Sequence, residues 1–215
     1  GEDRPLLSAG DAGADIARLL AARRAAYASV PWQIDTTARA LEDIVDVVVA
    51  LADVHTLPVA HPTGVYDIHI GNDTLKYLGG AMRAAGIPEG SRVAIVTNDV
   101  VAPLWSDAVG EALSEAGFQP VVCVIPDGEA HKTLETVQLL YGVLVQADLN
   151  RRDTVLALGG GVTGDIAGFA AATYMRGVRF VQVPTSLLAM TDASVGAKTG
   201  VDLPQGKNLV GAFKQ

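Results

Sequence analysis

The stretch TVLALGGGVTGDIAGFA, residues 154–170, decides how the rest of the chain is interpreted. It begins as an apolar run of strand length, continues through three glycines and a short polar turn, and then takes on the pattern of a helix. Gly159, Gly161 and Gly164 stand at the spacing G-x-G-x-x-G. Glycines let a backbone approach a phosphate closely, and free N–H groups at the start of a helix favour an anion. The stretch therefore predicts either a phosphate-binding turn or a tight turn that binds nothing.

Strand and helix patterns alternate from residue 65 to the glycine turn and beyond it. Because the strands are rich in Val and Ile on both faces and are separated by amphipathic helices, we expect a largely parallel sheet with helices on both faces. The predicted fold class is α/β and Rossmann-like, preceded by a short helical segment. The predicted strands are 65–71, 92–97, 120–125, 154–159 and 179–184, and the predicted helices are 74–85, 101–116, 133–147 and 163–174.

The first 64 residues have a different character. ADIARLLAARRAAY, residues 14–27, predicts a helix, and an apolar stripe from Leu41 to Leu51 predicts a second one. DVHTLPVAHPTG, residues 53–64, has two prolines, two histidines and no periodicity, which is typical of a linker. The predicted organisation is a helical segment at 1–55, a linker at 56–64 and an α/β domain at 65–215.

Composition narrows the class of protein. The 215 residues include 16 Lys and Arg against 24 Asp and Glu, a net charge of −8, which argues against nucleic acid or an anionic membrane as the main partner. The single cysteine, Cys123, forms no intrachain disulfide, as is typical of proteins in a reducing cytosol. The charged start is unlike a secretory signal, and no apolar stretch reaches the length of a membrane span. We therefore expect a cytoplasmic protein.

The glycine turn differs from two common nucleotide sites. It follows the fourth predicted strand after residue 65 instead of the first, and the next strand ends in Pro-Thr-Ser, with no acid to hold a ribose. It is also no Walker loop, because no Gly-Lys-Ser/Thr follows. Any nucleotide bound here is therefore expected to be held by a different arrangement.

The segment VPTSLLAMTDASVGAKTGVDLPQGKNLVGAF, residues 183–213, combines ionisable groups with small residues. Two lysines and an asparagine suit a phosphorylated, hydroxylated substrate, and an aspartate suits its hydroxyl groups. These residues are Asp192, Lys198, Lys207 and Asn208. The alternative is a solvated surface loop. The flanking apolar residues favour burial over such a loop; they are Leu187, Leu188, Val195, Leu209 and Val210.

Three motifs together resemble the 3-dehydroquinate synthase family. The first runs from LGGGVTGDIAGF at residue 158 to GKNLVGAF at residue 213; the others are IPDGEAHKTLET from residue 125 and VAIVTNDVVAPLW from residue 93. The resemblance extends from about Val65 to the last residue. It implies a carbon–oxygen lyase that uses NAD and a divalent metal. Such an enzyme converts a seven-carbon sugar-acid phosphate into 3-dehydroquinate and phosphate.

The resemblance also implies roles for particular residues. The adenosine half of NAD would be contacted by Asn98, Asp127, Gly128, Glu129 and Lys132. The pyrophosphate and nearby ribose would meet Gly160, Gly161, Val162, Gly164 and Asp165, and the rest of the cofactor site would be lined by Thr185, Ser186 and Leu188. The catalytic, substrate-binding residues would be Arg176, Asp192, Lys198, Lys207 and Asn208, with both lysines also reaching NAD. Arg176 would bind substrate phosphate across the interface of a homodimer.

The sequence departs from the family pattern at small residues and in its extent. Ala193 and Ala197 stand where the family usually has a serine and a glycine. In the family the metal, zinc or cobalt, is held in a helical domain that would follow the last residue of this chain. We therefore expect no metal ligands among His55, His61, His69 and His131, whose spacing does not suit a metal. A chain without that domain is expected to be inactive alone.

Other interpretations stay open at this point. A cyclase of the same fold would make a cyclitol, and a metal-dependent alcohol or glycerol dehydrogenase would turn over NAD with a free alcohol. A non-catalytic nucleotide-binding module would do neither.

The first segment resembles the end of shikimate kinase. The resemblance rests on RPLLSAG, LLAARRAAY and IDTTARALEDIVDVVVAL, between residues 4 and 51. It implies that Arg4 lies in the lid near ATP, that Arg23 binds shikimate and that Arg39 lies near the adenine. The phosphate loop of a kinase does not precede these motifs in this sequence, so the segment alone is not expected to phosphorylate. A plain helical extension is the alternative.

Overall fold

The computed structural model describes residues 12–28, 40–41, 54–61 and 64–215. It divides into two compact units, Gly1–Asp53 and Val54–Gln215. In the first unit the predicted helix is confirmed as α1, Ala12–Ala28. Of the second predicted helix only residues 40 and 41 are described, and Arg4 and Arg39 lie outside the described residues.

The second unit begins with a two-stranded ribbon. Strand β1, His55–His61, pairs antiparallel with β2, Gly64–Ile70, from His55 opposite Ile70 to His61 opposite Gly64. The prediction of a linker at 56–64 is therefore wrong for β1. Pro58 argued against a strand in the sequence, because proline is depleted in strands. Proline is tolerated on an edge strand, where its missing N–H group would face solvent.

A four-stranded parallel sheet forms the centre of this unit, in the order β4-β3-β5-β6. The strands are β3, Arg92–Asn98; β4, Gln119–Ile125; β5, Thr154–Gly159; and β6, Arg179–Pro184. All four lie where the apolar runs of the sequence predict them. The predicted Rossmann-like α/β class is confirmed.

Helices cover both faces of the sheet, as predicted. They are α2, Leu78–Ala84; α3, Ala102–Glu115; α4, Leu134–Gln146; and α5, Gly161–Thr173. Val93 and Ile95 of β3 pack with α2 and α3 on one face, and Ala94 and Val96 pack with α4 and α5 on the other. Alternate residues of a strand point to opposite faces, so one strand contributes to both cores.

Cys123 lies in the core, as expected for a strand residue. Its side chain is buried against the α4 face, and burial raises the pKa of its thiol to about 11. Among the described residues, no helix combines the length and apolar character needed to cross a bilayer.

A second antiparallel ribbon follows the sheet. Strand β7, Lys198–Leu203, pairs with β8, Gly206–Phe213. The ribbon packs on α5 at Gly168, where a Cβ atom would lie 2.3 Å from Thr199 Cγ2. A larger residue at 168 would therefore push the ribbon away from the helix, and with it the polar residues 207 and 208.

Candidate functional site

The topology of the sheet creates a crevice between the carboxyl ends of β3 and β5. From β3 the chain passes through α3 to β4 on one side, and from β5 it passes through α5 to β6 on the other. In open α/β sheets, ligands bind where neighbouring strands diverge in this way. Asn98 is the last residue of β3 and Gly159 the last of β5, so both predicted cofactor segments meet at this point.

Packing requires glycine at only one of two adjacent positions in the turn, Gly159 and Gly160. A Cβ atom on Gly159 would lie 2.6 Å from Thr163 Oγ1, so packing requires glycine there. A Cβ atom on Gly160 would meet Ser186 Oγ as its nearest described atom, at 3.6 Å, and Gly160 has an ordinary φ of −80°. Neither the backbone nor the packing of the described residues requires glycine at 160. The open surface above it fits a ligand that approaches the backbone.

The start of α5 provides hydrogen-bond donors beside that surface. Gly160 is the residue before the helix, and no side chain caps it. The N–H groups of the first helical residues, Gly161 and Val162 among them, have no partner within the helix and lie at the positive end of its dipole. Thr185 N–H donates to Gly159 O at 3.0 Å and keeps residues 185–186 beside the turn. These donors fit an anionic group such as a pyrophosphate.

Gly164 has a packing role one turn further along α5. A Cβ atom there would lie 3.1 Å from Gln182 Oε1, and Gln182 in turn donates from Nε2 to Ser194 O at 3.1 Å. Its small size therefore holds α5 close to β6.

Hydrogen bonds tie the acidic loop, residues 127–132, to the end of β3. Asn98 Nδ2 donates to Asp127 Oδ1 at 2.6 Å, and Asn98 Oδ1 accepts from Val101 N–H at 2.7 Å. Asp127 N–H donates to Asp99 Oδ1 at 3.1 Å. Gly128 follows with a φ of 102°, which favours glycine. The loop is thus fixed at the edge of the crevice.

Lys132 joins this loop to two other parts of the site. Its side chain is only 5% exposed; its Nζ donates to Asp165 Oδ2 in α5 and to Asn208 Oδ1 in β8, the latter at 2.6 Å. Burial raises the pKa of Asp165, and the neighbouring Lys132 opposes that rise. A buried cation with two oxygen partners is well compensated, so Lys132 holds the loop, the helix and the ribbon together.

An exposed ion pair spans the rim between the acidic loop and the second ribbon. Lys207 Nζ lies 3.0 Å from Glu129 Oε1, and the Lys207 side chain is 71% exposed. The hydrogen bond and charge of Glu129 raise the pKa of Lys207. Salt screens such a pair readily, so a charged ligand can displace it.

Three predicted substrate residues stand apart from these contacts. The side chains of Arg176, Asp192 and Lys198 are exposed and form no hydrogen bond or ion pair with other residues that the structure describes. Arg176 has a φ of 69° and follows Met175 at 51°, so a left-handed stretch of backbone presents it.

The predicted burial of the apolar residues around them is wrong for four of the five. Leu187, Leu188, Val195 and Leu209 are exposed, and Val210 is half-buried. The short π-helical turn Ala189–Ala193 buries only Ala189, and Met190 beside it is exposed. Leu188, predicted to line the cofactor site, is 70% exposed.

Asp202 also belongs to this network, although no motif of the sequence singled it out. Its Oδ1 accepts from Asn208 N–H at 2.7 Å, and its own N–H donates to Lys132 O at 2.8 Å. One feature of the sequence could have indicated it: Asp202 is the only acidic residue between the two lysines of KTGVDLPQGK, residues 198–207.

The residues present do not fit a metal centre. Over 12–28, 40–41, 54–61 and 64–215, no three His, Cys, Asp or Glu side chains converge closely enough to hold a metal ion.

Comparison with known sequences identifies similar proteins. Residues 122–215 match the sequence model of the family described as 3-dehydroquinate synthase N-terminal. The 3-dehydroquinate synthase of Synechococcus sp. (strain ATCC 27144) is 49% identical over 159 residues, which are 74% of this chain and 43% of that protein. That of Symbiobacterium thermophilum is 52% identical over 150 residues, 70% of this chain and 42% of that protein. The chain thus spans less than half the length of these curated relatives.

Two solved structures are also similar. The first is 2-deoxy-scyllo-inosose synthase complexed with carbaglucose-6-phosphate, NAD+ and Co2+, with a TM-score of 0.69 and 28% identity over 74% of this chain and 43% of that one. The second is ValA, a 2-epi-5-epi-valiolone synthase from Streptomyces hygroscopicus with NAD+ and Zn2+ bound. Its TM-score is 0.55, with 35% identity over 59% of this chain and 35% of that one.

Proposed function

We propose, since residues 122–215 match the sequence model of the 3-dehydroquinate synthase N-terminal family, that this chain is the NAD-binding part of a 3-dehydroquinate synthase. The enzyme would convert a seven-carbon sugar-acid phosphate into 3-dehydroquinate and phosphate, and so act as a lyase. The observation that carries the proposal is the open surface above Gly160, at the uncapped start of α5 and in the crevice between β3 and β5. The relatives named 3-dehydroquinate synthase are also nearer in sequence than the solved cyclases.

The residues around the crevice divide into parts for different pieces of NAD. The first N–H groups of α5 would hold the pyrophosphate, because they are donors at a positive helix end. Asp127 and Glu129 would accept hydrogen bonds from ribose or adenine, and Thr185 and Ser186 would line the remaining wall. When bound, NAD supplies a hydride acceptor that oxidises a substrate hydroxyl and later returns the hydride. The similar cyclases of known structure were solved with NAD+, which supports this cofactor.

The substrate would lie over the same crevice on the side of the second ribbon. Its phosphate and carboxylate would pair with lysine and arginine side chains, and its hydroxyl groups with Asp192 and Asn208. The proposed set is Arg176, Asp192, Lys198, Lys207 and Asn208. We propose that Arg176 reaches the substrate of a second copy in a homodimer. Its exposed side chain, without a partner among the described residues, supports this.

We propose that the divalent metal is held by residues outside this chain, in a protein as long as the curated relatives. The similar structures hold Co2+ or Zn2+, and the described residues do not fit such a centre. The chain alone is then expected to bind NAD without forming 3-dehydroquinate. The single cysteine supports a cytoplasmic location.

A related cyclase that makes a cyclitol is the second candidate. The observation that favours it is that the two similar solved structures are named 2-deoxy-scyllo-inosose synthase and 2-epi-5-epi-valiolone synthase. Product analysis with a full-length protein distinguishes the two, because 3-dehydroquinate forms only from a sugar acid. Net accumulation of NADH would instead indicate a dehydrogenase.

For the first unit we propose an origin in the end of a shikimate kinase. The support is the motif match around Arg23, which lies on α1. Shikimate binding to this chain, lost in Arg23→Ala, is the expected result; no binding would leave a helical extension.

The test of the main proposal is calorimetric titration of this chain with NAD. Saturable binding is expected, and Gly160→Ala should weaken it at least about tenfold at unchanged Tm, since the fold has room for the added methyl group. Gly142→Ala, on the exposed side of α4 with open space around it, is the matched control and should bind NAD like the native chain. No binding by a folded chain, or native binding by Gly160→Ala, would overturn the proposal.

A further inference from the structure

The second ribbon contains an irregularity opposite Asp202. Val201 pairs with Val210 and Leu203 pairs with Gly206, so Asp202 alone lies opposite Lys207, Asn208 and Leu209. The extra residues bulge out of β8, and Asn208 has a left-handed backbone with a φ of 55°. Bulges of this kind redirect side chains beside active sites. Here the bulge presents Lys207 and Asn208 to the acidic loop.

Three hydrogen bonds close a ring around this bulge. Lys132 Nζ donates to Asn208 Oδ1, Asn208 N–H donates to Asp202 Oδ1, and Asp202 N–H donates to Lys132 O, at 2.6, 2.7 and 2.8 Å. Each of the three residues thus donates once and accepts once. Asp202 is the member that takes part through a carboxylate. That carboxylate accepts the N–H of Asn208, the residue with the left-handed backbone.

We propose that Asp202 is a positioning residue that holds the bulge in β8 and thereby aims Asn208 and Lys207 into the crevice. It touches neither ligand directly in this assignment. The hydrogen bonds of the ring are observed whatever the function is, but the role of Asp202 in ligand binding rests on the proposed function. Asparagine at 202 keeps an oxygen that accepts the Asn208 N–H, whereas alanine removes it.

The test compares Asp202→Ala with Asp202→Asn in this chain. Amide hydrogen exchange at Asn208, followed by NMR without ligand, should quicken at least about tenfold in Asp202→Ala, since a hydrogen bond to a charged group is lost. In Asp202→Asn the rate should stay within a few-fold of native. Asp107→Ala, which removes an exposed acid of α3 on the other face of the sheet from the ribbon, is the control and should leave Asn208 unchanged.

NAD titration of the same variants gives a readout that a purely structural role would not move. Affinity should fall about tenfold in Asp202→Ala at nearly native Tm and return in Asp202→Asn. Unchanged exchange at Asn208 in the alanine variant, or no rescue by asparagine, would overturn the proposal. If no variant and no native chain binds NAD, the proposed function fails, while the exchange rates still decide the role of Asp202.

A measurement on the native chain covers the case in which Asp202→Ala does not fold. A scalar coupling through the hydrogen bond should join the Asn208 amide nitrogen to Asp202 Cγ. The bond from Arg92 N–H to Asp153 Oδ1, at 2.9 Å, is of the same kind and serves as the positive control. Coupling at Asp153 without coupling at Asp202 would contradict the ring.

Discussion

The two sides of the crevice differ in how far this chain determines them. On the side proposed for NAD, Asn98, Asp127, Lys132 and Asp165 bond one another or their neighbours within the described residues. On the side proposed for substrate, three of the five residues, Arg176, Asp192 and Lys198, are exposed and make no such contacts there. The cofactor side is therefore organised before any ligand arrives, whereas the substrate side is expected to gain its contacts on assembly or binding.

Among the variants that test this difference between the two sides, Lys132→Met should lower the free energy of unfolding the most. The change leaves Asp165 partly buried without its cation, and breaking a buried pair in this way is expected to lower the free energy of unfolding by about 2–3 kcal/mol. Lys207→Met, the matched change in the exposed pair, should leave stability unchanged. Urea unfolding measures both. Equal losses in the two variants would show that the two sides do not differ.

A thiol reaction tests whether the cofactor side is folded without ligand. Burial raises the pKa of Cys123 from 9.0 to about 11, so at pH 8 its thiolate fraction is about a hundredfold smaller than in the unfolded chain. Reaction with a disulfide reagent, followed by absorbance, should slow by at least that factor and recover in urea. Fast reaction in buffer would mean that the sheet opens readily.

The pH dependence of Lys132→Met sharpens the same comparison. Burial already raises the pKa of Asp165 above 3.8, and removing Lys132 raises it further. The folded variant then holds a proton that the unfolded chain releases, so the contribution of Asp165 to stability is most favourable below pH 3.8 and is lost as the pH rises through the folded pKa. The stability gap to the native chain should widen as the pH rises above 3.8, the ordinary pKa of the carboxyl group. A constant gap would indicate that Asp165 does not interact with Lys132.

The smallest effect is expected on the substrate side. Asp192→Ala and Lys198→Ala remove exposed side chains without described partners, so stability should stay within about 0.5 kcal/mol of native. Thermal unfolding of both variants checks this. A clear loss in either would reveal a contact on the side that we describe as open.

Local pattern was enough to predict the sheet and the glycine turn. Thr154 to Gly159 is a continuous apolar strand that ends in glycines, and that signal lies entirely within neighbouring residues. β1 was missed because Pro58 argued against a strand, and only pairing with β2 shows that the proline lies at an edge. The same holds for the site. The family motifs identified Lys132 and Asn208 as site residues, but they did not predict the hydrogen bond between the two side chains.

Contacts between distant residues explain the remaining misses. Asp202 gains its role only when β7 and β8 pair with an irregular register, which no periodicity predicts. Leu187 and Leu188 are exposed because no distant part of the described chain packs over them. Their hydrophobicity alone, which is what the sequence contains, predicted burial. Burial was therefore the least reliable inference, because it depends on surfaces instead of on local pattern.

The ring through Lys132 also has a consequence for protein synthesis. A ribosome makes Lys132 long before it makes Asn208, 76 residues later. Until then the lysine has at most one of its two oxygen partners, and the acidic loop lacks its anchor on the ribbon. The sheet can pack around the emerging helices, but the crevice acquires its final shape only after residue 208 has left the exit tunnel. A pause in translation before that point would produce a chain that is folded at its centre and open at its binding site.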